Sequence, residues 1–578
     1  MTKSTLDQGL IGYWKLVNDC KDYSSLGNHG CNHGVEFTEM STKSKHAKTA
    51  AFDGTGSYIK VPHSDSLSFG TGDFTLSVYV KCRCETAEII GDIISTYDPG
   101  SRKGINLSIS AQTSVYSSVS DVRSVYFGID NASVGTWEEC GKPSPTNTAI
   151  TNLVVYKGEL YAGISDAVDP LDACRVFRYE GGTSWSDCGR ITPDLTQLSV
   201  HSMIVHKGDL YAGTGVWDWL KLESGYSETL ESTRLYRYEG GQKWHDCGLT
   251  CEGDRVFSLA SYRGNLFASD DGKLHSSNFI SRWYRCDDDN NWHVSNVPMP
   301  DRISWFLSMI VYHGNLYASS RKHVYRYDGG TQWSFVGDLS EGYNVRQIHT
   351  MGIYCGDLYA GTWPEGRFFR YDGGQNWADC GFAGIDIKNQ QINEINDMIV
   401  YNGKLYVGVI PKGEVWRYES EKEWSCIQQL VNNPQYNPED ITSWGRVLSM
   451  TQFRGRMYAG TASVNGRAHE NPVTDAGSVF SIETGKCVSY DHDIGSDWKH
   501  IVAVREQGCL KLYIDGVLNA SSTAFHQGDY DVANNKPLLI GFGAEDYFMG
   551  CMNELRIYDR VLSEQEIMAI NKTKMIIR

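Results

Sequence analysis

Four charged residues stand at almost the same place relative to a recurring apolar run, and their types suit chemistry on an acidic sugar. Arg255 opens RVFSLASY, Glu394 opens EINDMIVY and Arg446 opens RVLSMTQF, each seven residues before the aromatic that closes the run. Arg346, in RQIHTMGIY, stands eight residues before its aromatic. Inside the same runs lie His201 (HSMIVH), His349 (HTMGIY) and Asp397 (NDMIVY). Segments that follow the next hairpin add Trp217, Asp218 and Trp219, and Trp363 with Glu365 and Arg367 in TWPEGR. A guanidinium pairs bidentately with carboxylate or sulfate and stays charged at any working pH. Histidine and carboxylate side chains can move protons in glycoside cleavage. On this reading Arg255, Arg346, Arg446, Trp217, Trp363 and Arg367 bind substrate, while His201, His349, Glu394 and Asp397 act on it. The competing reading of the arginines is that they pair with nearby acids and only fix the loops.

Such residues need a scaffold that gathers them, and the scaffold is a repeat. Its first half, as in VVYKGELYAG, places Tyr161, Tyr211, Phe267, Tyr317, Tyr359, Tyr406 and Tyr458 in register. A glycine in the preceding turn recurs at 158, 208, 264, 314, 356, 403 and 455. The second half ends on Trp185, Trp244, Trp292, Trp333, Trp377 and Trp424, six for seven first halves. The seventh is upstream, Trp137 in GTWEECG. About four short alternating strands per unit make a propeller blade, and joining the Trp137 strand to the unit of Tyr458 closes a ring of seven. Residues that fill one slot in every blade are structural by default, so the tyrosine and tryptophan series are read as blade core. The residues that differ from blade to blade, which precede the innermost strands, are the functional candidates.

Bulk numbers agree with an all-β chain. Its 578 residues exceed one core, and 34 Tyr, 16 Trp and 59 Gly favour short strands and tight turns. A net charge of −17 is the opposite of a nucleic-acid-binding face. No apolar run long enough for a membrane span occurs, and MTKSTLDQGLIGYW lacks the two parts of a signal peptide, which leaves localisation open. Among the 16 cysteines, Cys140, Cys188, Cys247 and Cys380 share the slot W-x-x-C-G on successive blades, too far apart to bridge, and are expected as free thiols. His29, Cys31 and His33 in NHGCNHG are better read as a polar turn than as a metal cluster. No phosphate loop, dinucleotide fingerprint, zinc-hydrolase motif or G-x-S-x-G is present, and nothing calls for a cofactor.

The repeat resembles kelch-type propellers in its di-glycine ahead of the tryptophan, at Gly181–Gly182, Gly240–Gly241, Gly329–Gly330 and Gly373–Gly374. The flanks resemble one laminin-G-like, concanavalin-like jelly roll in two pieces. The motifs are GLIGYWKL, AAFDGTGSYIKVP, GDFTLSVYV, the Trp498 strand, L-Y-x-D-G from Leu512 to Gly516, and ELRIYDRVLSEQEI. The expected fold is therefore a seven-bladed β-propeller inserted into a concanavalin-like β-sandwich. Residues 1–132 and 493–578 would form the sandwich and 133–492 the propeller. A ring closed by its own ends can sit in one loop of a host. The resemblance implies an oligo- or polysaccharide partner, and the arginines suit an anionic one. A glycoside hydrolase or polysaccharide lyase, a lectin or adhesin without chemistry, and a protein-interaction scaffold are all compatible with these residues.

Overall fold

The chain is described by a computed structural model, over residues 6–39, 48–83, 90–112, 119–166, 169–218, 222, 225–273, 281–296, 305–384, 393–463 and 475–575. It is nearly all β, and the propeller has seven blades. Six blades use four consecutive strands each, the first running from Ala149–Tyr156 to Ser184–Arg190 and the sixth from Glu394–Tyr401 to Glu423–Gln429. The seventh is assembled from both ends of the insertion. Gly445–Phe453, Arg456–Ser463 and Val479–Ile482 are completed by Glu138–Glu139, with Glu138 opposite Ser481 and Glu139 opposite Phe480. Trp137, next to that last strand, packs into the core of the seventh blade.

The repeated residues explain why blades form and lock together. Each di-glycine sits at the turn between third and fourth strands, where both backbones have positive φ, for example 104° at Gly181 and 59° at Gly182. Only glycine adopts two such residues in succession without strain. In five blades the tryptophan that follows this turn donates its indole N–H to a carbonyl of the preceding blade, as Trp185 does to Cys140 at 2.8 Å, Trp244 to Cys188 at 2.9 Å and Trp292 to Cys247 at 3.0 Å; the Trp137 and Trp333 indoles have no hydrogen-bond partner among the described residues. The slot cysteines are thiols, Cys140, Cys188 and Cys380 buried and Cys247 half-buried. These tryptophans are blade-to-blade ties, as a same-slot series should be.

The sandwich consists of an eight-stranded and a seven-stranded antiparallel sheet. Its single core draws on both flanks, with Trp14, Phe52, Leu76 and Phe127 packed with Ile501, Leu512, Phe548 and Leu555. The boundary expected at 492 is displaced. Lys486–Tyr490 does not belong to the last blade but pairs with Val119–Asn131 as the edge strand of the seven-stranded sheet, Lys486 opposite Ile129 and Tyr490 opposite Val125. It follows Val479–Ile482 after a three-residue turn with no linker composition to betray the change of domain. His29 and His33 serve the local chain: Asp22 N donates to His29 Nδ1 at 3.1 Å, and His33 stacks on Tyr58.

This seven-stranded sheet seats the lower face of the ring. The hairpin of Lys103–Gln112 and Val119–Asn131 reaches into the lower opening, with Ala111 against Ile310 and Ile353 and Val122 against the cluster of Val154 and Met203. Asn402 Nδ2 donates to Ile129 O at 3.0 Å, and Cys355 N to Ala544 O at 2.8 Å. Removing residues 134–142 is expected to unpair Val479–Ile482 and make the protein aggregate, measured by light scattering, because a bare strand edge templates association.

Candidate functional site

The inner strands present their side chains to the channel by a shared irregularity. A bulge recurs at Ile150/Asn152, Val200/Ser202, Ile395/Asp397 and Val447/Ser449, two residues into the upper part of each strand. A bulge re-aims the residues around it. Five residues before the closing position stand His201, Phe257, Leu307, His349, Asn396 and Leu448, and seven before it stand Arg255, Trp305, Gln347, Glu394 and Arg446. These two rows meet at the upper mouth of the ring.

Sequence reasoning placed six candidates there that the structure brings together. Arg446 Nη1 donates to Glu394 Oε1 at 3.1 Å and to Asn396 Oδ1 at 3.0 Å, and its guanidinium lies 5.0 Å from the Trp217 ring. His349 Nδ1 is 3.4 Å from the same Glu394 oxygen, and its Nε2 meets Gln347 Oε1. Arg255 Nε donates to Asp271 Oδ2 at 2.5 Å and its guanidinium lies over Phe257. His201 fits between Trp217 and Phe257, at ring separations of 6.2 and 5.0 Å. Trp217, Phe257, Leu307, Leu448 and Ala149 form the apolar floor, with Trp305 beside it. Burial, with Arg255 adding, drives the His201 pKa well below the usual imidazole range. Burial also lowers His349, opposed by Glu394 and helped by Arg446 and Arg255. Both rings are therefore neutral near pH 7.

Asp397 departs from the expected role. Its Oδ1 accepts from Met398 N at 3.0 Å and its Oδ2 from Met450 N at 2.7 Å, which ties the sixth blade to the seventh. It stands in a slot, four residues before the closing position, that Ser202, Ser258 and Ser449 fill elsewhere. Ser202 Oγ donates to Val256 O, Ser258 Oγ to Phe306 O and Ser449 Oγ to Ile150 O. This is a blade-bridging position and not a channel position.

Three candidates form a shoulder on the fifth blade. Trp363 is the cross-strand partner of Gln347, and the exposed Arg346 guanidinium lies 5.6 Å from its ring. Arg367 is set further out and is neutralised, by Glu365 at 2.6 Å and Asp379 at 3.3 Å, while stacking 4.4 Å over Tyr343. It anchors the local loop. Gln347, Trp305, Phe257 and Asn396 were missed because uncharged residues in the two rows carry no chemical flag. Counting every blade from its closing position would have found them. Trp219, expected near Trp217, lies outside the described residues.

Residues 461–568 match the family described as the concanavalin A-like lectin/glucanases superfamily. The matched stretch starts in the last blade and continues through the second part of the sandwich. No curated protein matches the chain. Among solved structures, one described as the extracellular domain of a hybrid two component system from B. thetaiotaomicron has a TM-score of 0.41 at 9% identity, over 68% of this chain and 47% of its own. This chain thus spans about half the length of that structure. Trypanosoma rangeli sialidase has a TM-score of 0.28 at 12% identity, over 77% of this chain and 99% of its own. The Pan2 WD40 domain of Neurospora crassa has a TM-score of 0.34 at 11% identity, over 60% and 94%. Likeness at this level says nothing about substrate or activity.

Proposed function

We propose that this protein is carbohydrate-active and receives an acidic saccharide at the upper mouth of the propeller, with Arg346 as the contact for the ligand's carboxylate or sulfate. The observation that carries the reading is the state of the arginines. Arg255, Arg367 and Arg446 are each paired with a carboxylate. Arg346 is exposed, rests on Trp363 and has no carboxylate partner among the described residues. A guanidinium positioned by a ring instead of an acid keeps its fork free for an anion, and the same indole offers an apolar face to a sugar. The superfamily matched by residues 461–568 supports a saccharide over other anions.

Cleavage is a second reading, favoured by the neutral, buried His349 beside this shoulder. Released from Gln347, its ring could take the proton next to the carboxylate of a uronic acid unit. The electron pair left behind would form a carbon–carbon double bond, and the glycosidic oxygen would leave and take up a proton. Elimination fits better than hydrolysis, which calls for two carboxyl groups flanking the bond. Glu394 is held by Arg446 and His349, and Asp397 by backbone amides.

Arg346→Ala should weaken calorimetric binding of uronic acid oligosaccharides by about 1.5–3 kcal/mol, the range for a charge-assisted hydrogen bond, with melting unchanged. Lys243→Ala, an exposed lysine on an outer turn, should bind like wild type. The ultraviolet absorbance of a new conjugated double bond tests the second reading: its absence with intact binding overturns elimination and leaves binding. Equal affinity of Arg346→Ala and wild type would sink the mouth as the binding site.

A further inference from the structure

A second site lies between the two domains, away from the channel mouth. A cleft of about 670 Å³ opens where one rim of the sandwich meets the lower turns of the third and fourth blades. Its floor is the end of three adjacent strands, with Phe52 opposite Gly550 and Gly550 opposite Cys82, and it is closed by Val311 and Met549. The half-buried Ala51 and Cys551 face the floor, with Phe52, Val311 and Met549 buried beneath it, so it is apolar.

The walls are cationic. Lys81, Arg83 and Arg263 line the cleft against one carboxylate, Asp497, and all four are exposed. In a chain of net charge −17 a local excess of positive charge is unexpected unless something is attracted to it. Among the described residues none of the three cations has a carboxylate partner. Elsewhere surface arginines do, as in Arg178–Glu180 at 2.8 Å and Arg326–Asp328 at 3.1 Å. Arg263 is also held in place. It occupies a tight turn at φ 47°, lies 5.0 Å over the Tyr262 ring and donates Nη2 to Gly314 O at 3.4 Å. Lys81 is the cross-strand partner of Cys551 in the cleft wall, and Arg83, two residues on, lines the same cleft.

We propose that this cleft binds an organic anion of mono- to disaccharide size, a sulfate or carboxylate group carried on a ring with an apolar face. The volume lies in the range of small-molecule sites. The three cations of the walls neutralise the charged group, and the apolar floor takes the ring. The site is distinct from the mouth and does not depend on the reading given to it.

Calorimetry with a sulfated disaccharide, a uronic acid disaccharide and inorganic sulfate tests the proposal on the full chain. The variants are Arg83→Glu and Arg263→Glu, with Arg346→Ala marking the mouth. At least one disaccharide should bind wild type and Arg346→Ala alike. Each charge reversal should weaken it at least tenfold, with melting in the absence of ligand unchanged for Arg83→Glu. If Arg263→Glu alone lowers melting, Arg83→Glu carries the decision. Inorganic sulfate binding as tightly as both disaccharides would reduce the cleft to a charge trap and overturn the assigned ligand. Binding that survives both reversals, or that is lost only in Arg346→Ala, would overturn the site.

Discussion

Arg446→Ala should lower the free energy of unfolding by about 3–5 kcal/mol, the cost of leaving one member of a buried ion pair without its partner. Arg446 and Glu394 are 8% and 4% exposed, and Nη1 also holds Asn396. Alanine leaves the Glu394 carboxylate with only a neutral imidazole beside it, and removes the cation stacked on Trp217. Chemical denaturation measures the loss. Adding Glu394→Gln to Arg446→Ala should recover much of it, because the unpaired charge is then gone. A second readout separates electrostatics from simple packing. Since Arg446 depresses the His349 pKa, its removal should let that pKa rise, which titration of the imidazole resonance detects. A loss below about 1 kcal/mol would mean that the mouth is wet enough to solvate Glu394.

Asp92→Asn should stabilise the protein at pH 8 and change little at pH 4. Asp92 is buried where the sandwich meets the propeller, and burial pushes its carboxyl up to about 7, against hydrogen bonds to Oδ2 from Glu545 N at 2.8 Å and Asp546 N at 3.2 Å. Its Oδ1 has no hydrogen-bond partner among the described residues. The sign follows from proton counts. Between about pH 4 and 7 the unfolded chain has lost this proton and the folded one retains it, so stability falls as pH rises through that window. Above it the folded state carries a buried charge. Asparagine keeps an oxygen for the two amides and cannot ionise. At about 1.4 kcal/mol per pKa unit, the gain at pH 8 should reach about 2–4 kcal/mol. Melting of both proteins across pH 4–8 gives the comparison. Parallel curves would show that Asp92 is ionised throughout and neutralised by an unforeseen partner.

The repeat was legible because it rests on local rules. A di-glycine at a two-residue turn and an aromatic closing each inner strand are demanded by backbone geometry and blade packing wherever they occur, so seven registers and one displaced tryptophan suffice to count blades and to close the ring. Arg255, Glu394 and Arg446 could be placed together for the same reason: equal offsets from the closing aromatic bring residues to equal heights on equivalent strands. Arg346 fell outside because it stands one residue beyond the row, where Gln347 takes the inward position.

Sequence alone therefore determined the all-β class and the seven blades, since each depends on periodicity and turn chemistry within a short stretch of chain; the closure through Trp137 followed from the count of repeat halves, and the split sandwich from its resemblance to laminin-G-like domains. Tertiary structure alone decided which polar groups are spent and which remain available. Asp397 and His349 stand four and five residues before the ends of their strands, yet the bulge sends the first to the neighbouring blade and the second to the channel. Lys486–Tyr490 reads as part of a blade but completes the sandwich, because an edge strand goes to whichever sheet edge is open beside it. The pairing that neutralises Arg446 joins it to Glu394, 52 residues away, which only folding brings within hydrogen-bond reach; among the described residues Arg346, Lys81, Arg83 and Arg263 have no such acid.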